Sequence, residues 1–343
     1  MYYITAAIYY VFGRNIFAAQ SFCAVIGAAT APMVYYCSLK IYNNLKVARF
    51  AAIGIAVFPS FIIWSGQLLK DGLIIFLLVV AMTMVMHLQA RISYAAVAIL
   101  ITSMFGILSL RFYIFYMVVV AVVGSFLVGM STTQRSLIRS TVILFVVGLG
   151  LAYLGVGQRA TEEVGTFANL NRIQGSRSDL ARSAETGFGE DVDVSTASGA
   201  LSAIPLGFTI LMLAPFPWQA TNARQAITIP EVLVWWGMLP FLIVGLVYTI
   251  RNKLRNAFPI LMFSLMLTIA YSVFQGNVGT AYRQRTQIQV FLFILIGAGW
   301  TVFRENRENK QLVALEARQR VEEQIRANAK PRDPEPQDEL LAN

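Results

Sequence analysis

The side chains that build metal centres and disulfide scaffolds are almost absent. The 343 residues supply two cysteines, Cys23 and Cys37, and one histidine, His87. The cysteines share one apolar run, far outside the short paired spacings of zinc and redox motifs, so they read as packed thiols. His87 ends an apolar stretch beside Arg91 with no second ligand near it in sequence, which places it at an interface rather than on a metal. Charge is scarce too. Asp, Glu, Lys and Arg make up 13% of the chain and hydrophobic residues 57%, with a mean hydropathy of +0.62. Soluble domains carry about 25% charged and about 45–50% apolar residues, so a soluble enzyme fold is excluded and an integral membrane protein is indicated. The formal charge of +9 then belongs to loops facing the cytoplasm and carries no nucleic-acid meaning.

Apolar runs are abundant. A bilayer core about 30 Å thick needs about 20 apolar residues in a helix, and runs near that length occur at 16–39, 47–64, 72–88, 92–108, 112–130, 137–156, 231–250, 257–274 and 287–303. Residues 1–12 are apolar and aromatic but too short to span, and no basic segment precedes them as in a signal peptide. The expected fold is all-α: a polytopic membrane protein of about nine transmembrane helices in a domain over 1–303. Lys40, Lys46, Arg49, Arg135, Arg139, Arg251, Lys253 and Arg255 lie in short loops, and the tail after Trp300 carries eight more basic residues. The positive-inside rule puts these in the cytoplasm, which sets the N-terminus and the polar loop 157–199 outside. The run 200–216, punctuated by Pro205, Pro215 and Pro217, would then have both ends outside. It is expected as a re-entrant or interfacial segment of irregular backbone that walls a cavity. The loop 157–199, poor in apolar residues, is expected to be partly disordered. Residues 304–330 read as a charged cytoplasmic helix, followed by a disordered end to 343.

The acidic census is the sharpest signal. Of eighteen Asp and Glu, seven lie in 157–199 and nine in the tail. Asp71 and Glu231 remain, both at outer ends of spans, where an ionisable group facing a cavity is a functional candidate. Basic residues also gather on that side against the general bias: Arg14, Lys70, Arg111, Arg224, Arg283 and Arg285. Arginine presents a planar fork suited to phosphate oxygens. In QGNVGTAYRQRTQ, Gly276 and Gly279 permit close backbone approach next to Tyr282, Arg283 and Arg285. Carboxylates and phosphate-binding cations around an outer cavity suit glycosyl transfer from a polyprenyl-phosphate sugar. They suit equally a carrier that only binds a lipid-linked glycan. No resident cofactor is indicated. Glu190, Asp191 and Asp193 could hold a divalent cation, although a solvated acidic patch explains them as well.

GRNIFAAQSFCAVIGAATAPMVYYCSLKIYNN followed by FPSFIIWSGQLLKDGLIIFLL resembles the early helices of GT-C membrane glycosyltransferases. These include the dolichyl-phosphate-mannose protein mannosyltransferase-like enzymes and bacterial relatives from exopolysaccharide clusters. PFPWQ at 215–219 and GNVGTAYRQR at 276–285 resemble segments of the bacterial proteins. The resemblance covers about residues 10–300 and implies a helical fold in the bacterial inner membrane with its active site outside. It implies a polyprenyl-phosphate-linked sugar as donor and a glycan, lipid or protein as acceptor, in surface polysaccharide or glycoconjugate assembly. Such enzymes usually begin with a further helix and an outer loop bearing an acidic residue. Here no Asp or Glu precedes Asp71, so the chain is expected to be shortened at its start, to hold its base elsewhere, or to lack catalysis. On this reading Asp71 is the expected acid/base group with Glu231 in reserve. Lys70, Arg111, Arg283 and Arg285, with Tyr282, hold the lipid phosphate. A polysaccharide polymerase and a non-catalytic membrane subunit stay open as alternatives.

Overall fold

The computed structural model describes residues 1–129, 134–153, 169–182, 185–220 and 223–329. The side chains of Arg135, Arg139 and Arg224, part of loop 157–199 and the tail end from 330 onward lie outside the described residues. Among the described residues the regular structure is helical: α1 (Tyr2–Phe12), α2 (Ile16–Tyr42), α3 (Leu45–Val57), α4 (Pro59–Gly66), α5 (Lys70–Ala90), α6 (Tyr94–Leu110), α7 (Phe112–Gly129), α8 (Gln134–Tyr153), α9 (Leu170–Arg182), α10 (Ala197–Leu213), α11 (Ala223–Ala226), α12 (Ile229–Asn252), α13 (Leu254–Phe274) and α14 (Val278–Ala329). A single antiparallel bridge joins Gly187 to Asn277.

Local chemistry sets several boundaries. Asn15 caps α2, its Oδ1 accepting from the N–H of Phe17 at 2.9 Å. Asn43 ends that helix in the left-handed region (φ 51) that asparagine tolerates. Asn44 then caps α3 through the Lys46 N–H at 2.8 Å, so one Asn-Asn pair closes one helix and opens the next. Pro59 at the first position of α4 lacks the N–H needed to continue α3. The two helices meet at a bend of 59°, and the run expected at 47–64 is thus a broken span.

Five helices are long and apolar enough to cross a membrane, or six if the bent pair is one span: α2, α5, α12, α13, α14 and α3–α4. The runs expected at 92–108, 112–130 and 137–156 do form apolar helices, but their described portions fall short of that measure. One loop expectation, irregular backbone through the 200–216 run, is corrected. The 200–216 run is not broken at Pro205: α10 is continuous from Ala197 to Leu213 and the chain turns only at Pro215 and Pro217. One missing N–H inside a packed helix is tolerated where neighbours hold the segment in place. Loop 157–199 contains the ordered helix α9. It is sealed by Val194, Ala203 and Val273 against Ile173, Val192 and Phe274. Its fold rests on a few well-placed side chains, which composition does not register.

The bundle has one central element. From Ile288 to Ala298 nearly every side chain of α14 is buried. A helix that is apolar all round is stable only when covered on all sides. Around this axis α5 packs on α2 and α6, and α13 packs on α7 and α10. Close approaches are made by glycine. A Cβ on Gly207 would lie 1.8 Å from the Ser272 carbonyl oxygen, and one on Gly299 would lie 1.9 Å from that of Phe241. Small residues let helix backbones touch in membranes. Gly207→Ala should therefore force α10 off α13 and lower stability by about 1–3 kcal/mol, measured by detergent unfolding; an unchanged midpoint would contradict this contact.

Residues 1–300 and 301–343 form separate compact units. The apolar run 287–303 and the charged segment 304–329, expected as two pieces, are one helix of 52 residues. In the second unit its described side chains are largely exposed, and Arg304 Nε pairs with Glu308 Oε1 at 2.9 Å.

Candidate functional site

The central helix begins at one end of the bundle. Its first turns carry Tyr282, Arg283, Arg285 and Gln287 into the place where α5, α12 and α4 start and α6, α10 and α13 stop. Helix ends leave backbone donors and acceptors unpaired, so this is where polar side chains can be held inside an apolar bundle.

Asp71, in the first turn of α5, is 1% exposed. Its Oδ1 accepts from Arg111 Nη2 at 2.7 Å and from Gln287 Nε2 at 3.1 Å, and its Oδ2 faces Arg283 Nε at 3.5 Å. Arg111, at the junction of α6 and α7, also donates to the hydroxyls of Tyr113 at 2.8 Å and Tyr271 at 3.3 Å. Tyr271 donates onward to Gln287 Oε1 at 2.8 Å. The network thereby ties α5, α7, α13 and α14 together. Lys70, exposed, donates to the Leu110 carbonyl at 3.2 Å and so stays beside Arg111.

Glu231, in the first turn of α12, is 7% exposed. Its Oε2 accepts the Ser60 N–H at 2.7 Å, which places a carboxylate on the N-terminus of α4. Its Oε1 has no hydrogen-bond partner. Tyr282 lies against both Glu231 and Ser60. Arg285 is fully buried. Its Nη1 donates to the carbonyls of Met212 at 3.1 Å and Ala214 at 2.9 Å, at the C-terminus of α10. Trp235 and Trp236 donate to the carbonyls of Met212 and Leu213 there as well, at 2.7 and 3.0 Å. These donors satisfy carbonyls that a helix end leaves open. The Arg285 guanidinium also lies over the rings of Tyr282, at 5.0 Å, and Trp235, at 5.5 Å.

A cavity of about 700 Å³ opens on this end. Trp64, Phe216, Gln219, Asn277, Tyr282 and Arg283 are among its lining residues. Arg283 lines the cavity with 31% of its side chain exposed, while its Nε faces Asp71. One wall comes from Glu185–Phe188. It is pinned to the 276–278 turn by the Phe188 N–H donating to the Gly276 carbonyl at 2.8 Å and the Val278 N–H donating to that of Thr186 at 3.0 Å. Behind this wall Arg177 is buried, donating to the Val273 carbonyl at 3.2 Å with its guanidinium 5.7 Å from the Phe188 ring. Burial pulls its pKa below the usual arginine range. A Cβ on Gly276 would lie 2.5 Å from the Arg177 carbonyl oxygen, a close approach only glycine permits, whereas Gly279 has no backbone that near.

The structure thus brings Lys70, Asp71, Arg111 and Arg283 into one group, and Glu231, Tyr282 and Arg285 into a second next to it. Of these, Tyr282 and Arg283 line the cavity, and Lys70, Asp71, Arg111, Glu231 and Arg285 do not. Sequence reasoning missed Gln287, Tyr271, Tyr113 and Arg177. Gln287 had a signal, a polar side chain opening an apolar span; Arg177 had none, sitting among many polar loop residues. The acidic stretch 190–193 gathers no cation site: Glu190 pairs with Arg182 at 2.8 Å and Asp193 accepts the Ser195 N–H at 2.8 Å. Ser195 holds the Asp193 carboxyl below the usual range. Among the described residues no three His, Cys, Asp or Glu side chains gather as metal ligands. His87 Nε2 accepts from Arg91 Nε at 3.1 Å.

No protein-family model and no curated protein sequence matches the chain. Solved structures match its fold. ArnT from Cupriavidus metallidurans bound to undecaprenyl phosphate aligns with a TM-score of 0.54 at 15% identity, over 91% of this chain and 51% of that one. The same protein in its apo state aligns at 0.53 with 16% identity, over 91% and 50%. The chain therefore spans about half the length of the proteins it matches. At this identity the likeness is one of fold: a polytopic helical membrane architecture shared with ArnT.

Proposed function

We propose that this chain is a membrane glycosyltransferase, or the part of one, that moves a sugar from a polyprenyl-phosphate carrier to an acceptor on the outer face of the bacterial inner membrane. Positive-inside bias puts the cavity end outside and the 304–343 tail in the cytoplasm. The observation that carries the reading is Arg283: a cation with its Nε 3.5 Å from buried Asp71 and a partly exposed side chain lining a cavity of about 700 Å³. A cavity of that size can take a glycosyl phosphate, and the ArnT structure that shares this fold holds undecaprenyl phosphate.

In this reading Arg283, with Lys70 beside it, holds the lipid phosphate and stabilises the negative charge that grows on it as the glycosidic bond breaks. Asp71 was the expected acid/base group. Its two oxygens already face Arg111, Gln287 and Arg283, and a carboxylate so engaged orients cations better than it accepts a proton. Asp71 and Arg111 are therefore assigned to positioning Arg283, and Arg285 to holding the end of α10. The test is turnover of radiolabelled undecaprenyl-phosphate hexoses by the purified chain in liposomes. Release of the sugar to an added glycan, lipid or water is expected. No turnover with any hexose donor, alongside retained binding of undecaprenyl phosphate, would favour a lipid-glycan carrier.

A further inference from the structure

Resting on the transfer reading, we infer that Tyr282 and Glu231 together form the proton acceptor for the attacking hydroxyl, with Arg285 as the charge that supports them. The cavity wall gives Tyr282 the position to do so. It lines the cavity next to Arg283 in sequence, so a hydroxyl in contact with it lies near the phosphate that Arg283 holds. Behind it stands Glu231, 7% exposed, with one oxygen fixed by the Ser60 N–H and the other without a partner. A buried carboxylate oxygen left unpaired is costly and calls for an explanation in a native structure; receiving a proton supplies one. The Tyr282 hydroxyl interacts with the Glu231 side chain, and catalytic hydrogen bonds often tighten only when substrate arrives.

Arg285 completes the group. Its guanidinium lies 5.0 Å from the Tyr282 ring, and its Nε and Nη2 have no hydrogen-bond partner. A cation over a phenol ring steadies the negative charge that develops on it. The phenol of tyrosine ordinarily ionises near pH 10, so Tyr282 by itself is a weak base, and the carboxylate behind it provides the missing basicity. The step balances. The acceptor oxygen bonds to the anomeric carbon as the bond from that carbon to the phosphate oxygen breaks. The acceptor proton passes to the Tyr282 oxygen while the Tyr282 proton passes to Glu231. The lipid phosphate leaves as an anion against Arg283 and Lys70. Asp71 has no comparable free oxygen.

Initial rates with an undecaprenyl-phosphate hexose test this. Tyr282→Phe and Glu231→Gln should each lower kcat about 10²–10⁴-fold while the donor KM stays within about twofold. The double variant should be no slower than the worse single one, since residues acting as a unit are not additive. Thermal unfolding in detergent, with a midpoint close to wild type, separates this from misfolding. A fully active Glu231→Gln protein, or losses that multiply in the double variant, would overturn the pair. If the wild-type chain turns over no donor, the transfer reading fails by itself. The pair is then judged by infrared spectra of ring-labelled tyrosine, where Glu231→Gln should shift one phenol C–O band. An unshifted spectrum overturns it.

Discussion

Arg283→Ala is expected to lower kcat/KM for a polyprenyl-phosphate sugar about 10²–10³-fold, the range for removing one donor from a developing oxyanion. The protein should still insert and fold. Arg283 is far less buried than Asp71 and Arg111, and Asp71 keeps Arg111 at 2.7 Å and Gln287 at 3.1 Å when it is gone. Arg283→Lys should recover only part of the loss, because an ammonium restores the charge but not the planar fork. Binding of undecaprenyl phosphate to nanodisc-embedded protein should weaken in parallel, which separates a phosphate role from a general defect. Full activity in Arg283→Ala would remove the observation on which the functional reading stands.

The second large effect is on stability. Arg111→Met strips the shortest ion pair from an Asp71 side chain that is 2% exposed, and breaking a buried pair from one side costs about 3–5 kcal/mol. The loss arises from the stranded carboxylate, since pairing in the interior only roughly offsets desolvation. Adding Asp71→Asn to Arg111→Met should therefore return part of the stability, with a coupling of about 1–3 kcal/mol in a double-mutant cycle. Unfolding in mixed detergent micelles measures it. Additive losses would mean that Asp71 and Arg111 do not act as a pair. Asp71→Asn by itself should abolish most transfer while the protein still inserts, because Arg111 and Arg283 lose the charge that aims them.

These effects divide along a line the residues themselves draw. Hydropathy alone placed the helices, because a bilayer about 30 Å thick imposes a length that any apolar run must meet and lipid leaves the backbone no alternative to a helix within it. Scarcity singled out Asp71 and Glu231: an ionised group at a span end is too expensive to be incidental. The positions of Pro59 and of Asn43–Asn44 fixed breaks and caps for equally local reasons. What sequence could not assign was partnership. Arg111, Arg283 and Arg285 look alike in the chain, yet packing turns one onto Asp71, leaves one on the cavity and buries the third beneath Met212 and Ala214. Pro205 likewise read as a break, and neighbouring α13 keeps it inside a continuous helix. Arg177 and Gln287 gained meaning only when segments far apart in sequence met at the end of α14. Solvent and lipid act on each residue separately, so their influence is legible along the chain. Hydrogen bonds and ion pairs act between residues and depend on ångström distances, which only the folded bundle supplies.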